Sequence, residues 1–229
     1  MTWKETFTSS VGQKLVMGLT GIFLISFLIV HVGINACVFA NDGGEMFNKA
    51  AHFMGSTVLI RIMEVGLFAG IILHIVQGYM LEAKNRAARG TAYAVSYKQG
   101  SKWYSRSMGL LGTLILLFLV MHLYHFWVPA RFTGHEAMPN ILVGGVEMHD
   151  MYNLMKVTFE SPIPVVVYTL GCISLAYHLA HGFQSAFKTV GVHNKRYNAM
   201  LISLGYGFSI IVPLVFIAMP LAFHFGWLQ

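Results

Sequence analysis

Long apolar runs alternate with short polar stretches along this chain, and the runs set its architecture before any single residue is considered. Five of them, about 15–39, 57–81, 107–128, 163–187 and 200–223, are each near the roughly 20 residues a helix needs to cross a bilayer. They predict an all-α integral membrane protein with five transmembrane helices in a single membrane domain, 1–229. The stretch 41–56, rich in Gly, Asn and Asp, reads as a turn region with a little local structure. The segment 130–161 is the longest between spans and holds the largest share of the acids. Ser161-Pro162 reads as an N-cap and first-turn proline opening the fourth span. Pro213 and Pro220 fall inside the fifth, where a membrane helix tolerates them if neighbours satisfy the freed carbonyls.

Composition agrees with the pattern: 56% of residues are hydrophobic and 10% charged, far from the balance of a water-soluble domain. Lys4, Lys14 and the Val38-Phe39-Ala40 sequence give the first run some likeness to a cleaved leader, but about 25 apolar residues argue for a retained helix. Cys37 and Cys172 lie in different spans, so no disulfide framework is indicated, and the absence of C-x-x-C-H leaves no covalent haem attachment. Eleven of the 15 basic residues (Lys4, Lys14, Lys84, Arg86, Arg89, Lys98, Lys102, Arg106, Lys188, Lys195 and Arg196) cluster before the first span and in the 82–106 and 188–197 loops. Lys49, Arg61, Arg131 and Lys156 fall elsewhere. The positive-inside rule then predicts a cytoplasmic N-terminus and an outside C-terminus. Trp3, Trp103, Trp127 and Trp227 all fall at span ends, as an interfacial aromatic belt requires. The net charge of +6 is thus mostly a cytoplasmic face, suited to anionic lipid or to a soluble partner docked from inside, and no nucleic-acid partner is expected.

Four spans carry a histidine within the apolar run, where an ionisable group is costly and normally faces the bundle interior. Counted from the basic residue bounding each helix, His31 lies 17 residues from Lys14 and His122 16 from Arg106, while His74 and His178 each lie 10 from Lys84 and Lys188. At about 1.5 Å per residue the first two sit roughly 25 Å from the basic boundary and the other two about 15 Å. Two layers result. A planar macrocycle ligated on both faces needs two imidazoles at equal depth on different helices, and this arrangement supplies that twice, which points to two b-type haems in a bundle of the first four helices. Zinc is less well served by two ligands per layer. A transporter would more often show broken helices or inverted repeats.

An internal echo singles out the same residues. Gly21…Phe27…His31 and Gly112…Phe118…His122 share one spacing, and His74-x-x-x-Gly78 and His178-x-x-x-Gly182 share another. Gly78 and Gly182, one turn from a candidate ligand, would leave space for a porphyrin. His125 and His181, each one turn further along, compete with His122 and His178, and depth matching favours the latter two. His52, His135, His149, His193 and His224 fall in loops or at span ends. Glu64 lies about ten residues outward of His74, with Arg61 one turn away; the plain reading is an intrahelical ion pair. Lys188 or Ser107 could receive haem propionates.

These residues resemble those of the one-subunit, five-helix, two-haem cytochrome b anchors of succinate:menaquinone oxidoreductases and fumarate reductases. The resemblance is carried by Ile29-Val30-His31-Val32, by Phe47-Asn48-Lys49-Ala50-Ala51-His52-Phe53-Met54, by Leu73-His74-Ile75 with Gly78-Tyr79, and by Met121-His122-Leu123. Its most specific piece is Tyr177-His178-Leu179-Ala180-His181-Gly182-Phe183-Gln184-Ser185-Ala186-Phe187. It implies a distal, outer haem on His31 and His122 and a proximal, inner haem on His74 and His178. It also implies an iron–sulfur subunit and a flavoprotein as cytoplasmic partners, (mena)quinone as the membrane substrate, with Glu64 as the group that would exchange protons with it, and a bacterial cytoplasmic membrane. Such an anchor serves the respiratory chain and the tricarboxylic acid cycle without succinate chemistry of its own. Some fumarate-reducing relatives carry a glutamate where this chain has Ala176, so a proton path there is not expected. Di-haem anchors of formate dehydrogenases, nitrate reductases or hydrogenases are the nearest alternative.

Overall fold

Ser9 opens the first helix: its hydroxyl accepts the Gly12 N–H at 3.0 Å, satisfying one of the donors every helix start leaves over. In the computed structural model, which describes residues 2, 9–88, 102–192 and 194–228, helix α1 then runs Ser10–Ala36 and tightens into a 3-10 turn at Cys37–Ala40. Trp3, Lys4, Arg89, Lys98 and His193, which entered the reading of charge, interface and loops, lie outside the described residues. The other elements are α2 (Glu45–Ser56), α3 (Val58–Ala88), α4 (Trp103–Arg106), α5 (Met108–His122), strands β1 (Asn140–Val143) and β2 (Val146–His149), α6 (Met151–Glu160), α7 (Pro162–Thr189) and α8 (Lys195–His224). Five helical stretches are long and apolar enough to cross a membrane: Ser10–Ala40, Val58–Ala87, Met108–Thr133, Pro162–Thr189 and Arg196–His224.

The protein is all-α in class, with a small hairpin added at one end. α1, α3, α5 and α7 form a four-helix bundle in which α1 packs on α3 and α7, and α7 on α5, while α3 and α5 touch least of the neighbouring pairs. α8 lies against α7 outside that ring. Val58, Leu59, Ile62, Met63 and Val65 expose their side chains along α3, a surface that hydrocarbon solvates and water does not. Ser161 stands at the N-cap of α7 with Pro162 at its first position, as expected, although the Ser161 side chain makes no cap bond. Pro213 and Pro220 are fully buried within an unbroken α8. α3 runs on past the apolar stretch to Ala88 and carries there a Glu82–Arg86 ion pair of 2.7 Å.

The two ends of the bundle differ. One carries the basic residues Lys84, Arg86, Lys102, Arg106 and Lys188 and is called here the basic end. The other is closed by a cap built from segments that read as loop. Residues 41–56 hold a full helix, α2, entered through Asn41, Gly43 and Gly44 in left-handed conformations and capped by Asp42, which accepts the Gly44 and Met46 N–H groups at 3.1 and 3.0 Å. A side chain at Gly44 would meet the Tyr152 ring at 2.3 Å, so only glycine serves both that φ and that contact. β1 and β2 pair antiparallel across Gly144-Gly145, both at positive φ, the pattern of a two-residue hairpin turn. Asp150 then caps α6 through the Asn153 N–H at 3.0 Å.

Buried Asn48 binds the cap together: its amide donates to Asp150 at 2.9 Å, and its carbonyl oxygen accepts the Tyr152 N–H at 2.9 Å. Around it Val38, Phe47, Tyr152, Met155, Phe159, Met219 and Phe223 form the largest apolar cluster, which joins α2 and α6 to α8. Each buried aromatic or aliphatic side chain of this kind contributes about 1.5–3 kcal/mol relative to exposure to water.

Candidate functional site

The bundle brings the four histidines together in two pairs. His31 of α1 faces His122, the last residue of α5, with ring centroids 5.8 Å apart and planes at 88°. His74 of α3 faces His178 of α7 at 6.3 Å and 63°. All four are half-buried. The pairs are those that depth counting matched. His31–His122 lies nearer the cap, where Phe216 and Tyr168 also reach it. His74–His178 lies nearer the basic end.

The competing histidines point elsewhere, and for His125 the backbone shows why. Beyond His122 the third span leaves the α-helix for two π-helical turns, Leu123–Trp127 and Pro129–Thr133. Such turns widen the spiral and shift every later side chain around the axis. His125, which a regular helix would stack above His122, instead lies flat on Tyr168 (5.9 Å, 6°), with Nδ1 3.2 Å from the phenolic oxygen. His181 lines a surface groove of ≈ 330 Å³ with Gln184, Ser185, Lys188 and Thr189. Among the described residues, no three or more His, Cys, Asp or Glu side chains converge, so each pair offers two ligands and no third.

The echo between the first and third spans has a structural meaning. Phe27 stacks on His31 (5.0 Å, 21°) and Phe118 on His122 (5.7 Å, 23°), nearly the same contact twice. Ten residues before each of those histidines, a glycine borders the other pair: a Cβ at Gly21 would lie 3.8 Å from His74 Cε1, and one at Gly112 would lie 3.9 Å from His178 Cε1. Each of α1 and α5 thus serves both levels. A Cβ at Gly182 would lie 3.8 Å from His178 Cδ2. Gly78 does not border a ring; its missing side chain would meet the flexible Met17 Cε at 3.5 Å. Gly171 is enforced by Phe118, whose ring lies 2.5 Å from where a Cβ would be.

These features fit an iron porphyrin held from both faces. Two metal–nitrogen bonds of about 2 Å, plus about 1 Å from each nitrogen to its ring centre, place imidazole centroids about 6 Å apart. Both pairs have that spacing. Nδ1 of His122 and of His178 are buried without a protein partner. Nδ1 of His74 lies 3.0 Å from Thr20 Oγ1, and Nδ1 of His31 lies 3.4 Å from the Asn35 amide.

Glu64 departs from the simplest expectation. Its ion-pair partner is Arg131, at 2.9 Å through Nη2 and 3.2 Å through Nε, and the Trp127 indole N–H also donates to it. Arg61 turns away and donates to the Gly55 carbonyl at 2.9 Å, which Arg131 shares at 3.1 Å. The two π turns deliver Trp127 and Arg131 to this position, so Trp127 is engaged inside the structure as well as lying at a span end. Arg131 was missed as a site residue, because its approach to Glu64 depends on a π-helical path that no residue pattern announces.

Over 175 residues the chain is 28% identical to the succinate dehydrogenase cytochrome b558 subunit of Bacillus subtilis (strain 168), an alignment covering 75% of this chain and 73% of that protein. This chain is similar to a succinate dehydrogenase cytochrome b subunit. No family model matches it, and no solved structure does.

Proposed function

We propose that this protein is the di-haem cytochrome b anchor of a succinate:quinone oxidoreductase, with His31 and His122 as axial ligands of the haem nearer the cap and His74 and His178 as those of the haem nearer the basic end. The observation that carries the reading is the opposition of four histidines from four helices in two pairs, one above the other. The likeness to a succinate dehydrogenase cytochrome b subunit supports it independently. When bound, the haems would supply one-electron transfer along the bundle. The chain's own part is to hold two imidazoles at each level, keep the surroundings apolar through Phe27, Phe118 and Tyr168, and leave room beside the rings at Gly21, Gly112 and Gly182.

On this reading the basic end lies in the cytoplasm of a bacterium and receives the iron–sulfur and flavoprotein subunits, and the capped end faces outside. Quinone, in this family's pattern menaquinone, takes two electrons and two protons to become quinol. Glu64 is assigned to proton exchange there, its carboxylate held in place by Arg131 and Trp127. The Glu64→Gln protein should bind haem normally and turn over quinone at least tenfold more slowly, a loss expected of a positioned proton carrier. Unchanged turnover and an unchanged pH profile would remove Glu64 from the mechanism.

Gentle detergent purification tests the whole reading. A red complex with two non-covalent b haems per chain, together with an iron–sulfur subunit and a succinate-oxidising flavoprotein, is the expected result. The same haems with a molybdenum- or nickel-containing partner would place the chain in another respiratory enzyme. A stable colourless protein would refute the reading.

A further inference from the structure

We infer that Thr20 is a positioning residue for the His74–His178 pair: its hydroxyl oxygen accepts the Nδ1–H of His74, which leaves the Nε2 lone pair free to bind iron and strengthens it as a ligand. The inference rests on the di-haem reading and deepens it by making the two levels unequal.

The direction of the bond follows from counting hydrogens. Thr20 Oγ1 lies 2.8 Å from the Val16 carbonyl oxygen, 3.2 Å from that of Met17 and 3.0 Å from His74 Nδ1. A hydroxyl carries one hydrogen, and a carbonyl can only accept. The back-bond to the preceding turn, a common habit of threonine in helices, uses that hydrogen. Toward His74 the oxygen is therefore an acceptor, so the imidazole proton sits on Nδ1 and Nε2 is bare. Thr20 is buried, and a hydrogen bond in such surroundings is electrostatically stronger than one in water. The next residue, Gly21, leaves open the space beside Cε1 of the same ring. One dipeptide of α1 thus orients the imidazole and makes room for it.

Among the described residues, no other member of the four has an equivalent. Nδ1 of His178 and of His122 are buried with no protein partner. His31 has only the Asn35 amide nitrogen at 3.4 Å, which also donates to the His31 carbonyl at 2.8 Å and, being a donor, cannot accept an Nδ1–H. An acceptor on the far nitrogen makes an imidazole more basic, and a more basic axial ligand favours ferric over ferrous iron. Thr20 accordingly lowers the reduction potential at its own level and leaves the other untouched.

The test compares the purified complex carrying Thr20→Val, which keeps the shape and removes the hydroxyl, with Thr20→Ser, which keeps the hydroxyl. Potentiometric titration and low-spin EPR follow each haem, and the signal absent from the His74→Ala protein identifies the one concerned. Thr20→Val should shift that haem's midpoint upward and move its EPR signal, with the second haem unchanged and Thr20→Ser close to wild type. Two haems at wild-type potentials in Thr20→Val would overturn the inference while leaving the di-haem reading intact. If Thr20→Val binds only one haem, Thr20→Ser decides: retention of both supports the hydroxyl's role, and loss there too shows that any change at this position disturbs the site and overturns the inference. A wild-type chain that binds no haem defeats both readings.

Discussion

At the scale of single residues, the choice between neighbouring histidines shows how much a side chain's role depends on one turn of backbone. His122 and His125 are three apart, and on a regular helix either could face His31. The π turn beginning at Leu123 sends His125 to Tyr168 and leaves His122 opposite His31. His122→Ala should therefore lose the haem nearer the cap, leaving one haem per chain in a pyridine haemochrome assay. His125→Ala should keep two, at an expected cost of about 1 kcal/mol for the lost hydrogen bond to Tyr168. The reverse pattern would show that the third span presents His125 as the ligand. The histidine pairing itself was legible beforehand, because depth can be counted along a helix from its charged boundary. The tautomer-setting contact of Thr20 was not, since it joins residues 54 positions apart on two helices.

Elements show a sharper division between what residue patterns reveal and what packing decides. All five spans were visible as apolar runs, because the bilayer's thickness imposes a length that no loop imitates. The cap was not. α2 is polar on one side and glycine-rich at its start, so it reads as turn, yet Asp42 and three left-handed residues make that start a well-formed helix entry. The hairpin was legible and missed: Asn140–Val143, a Gly-Gly pair and Val146–His149 have the layout of two strands about a two-residue turn. The π turns belong to a third kind. Nothing in Leu123–Trp127 excludes an ordinary α-helix, and the wider spiral is fixed by what it reaches: Glu64 on α3 through Trp127, and Tyr168 on α7 through His125. The Glu64–Arg131 pair follows from that path, and so a site residue outside the first reading depends on an element outside it too.

For the whole molecule, the proposal makes the bundle asymmetric along its length, with a basic face at one end and a folded cap at the other. The asymmetry has a direction only if the basic face lies in the cytoplasm, as the distribution of Lys and Arg predicts. Two exposed side chains on opposite faces allow a direct check: Lys49 on the cap, paired to Glu45 in its own helix, and Arg86 at the basic end of α3. Exposed i,i+4 pairs of this kind contribute about 0.3–0.5 kcal/mol each, so replacing either residue leaves the fold in place. In intact cells, a membrane-impermeant maleimide should label Lys49→Cys, whereas Arg86→Cys should react only after the membrane is opened, with Cys37→Ser as the common background. Protection of Lys49→Cys together with labelling of Arg86→Cys would invert the orientation. The cap would then face the cytoplasm, and the soluble subunits would have to dock on α2, α6 and the hairpin instead of on the basic loops.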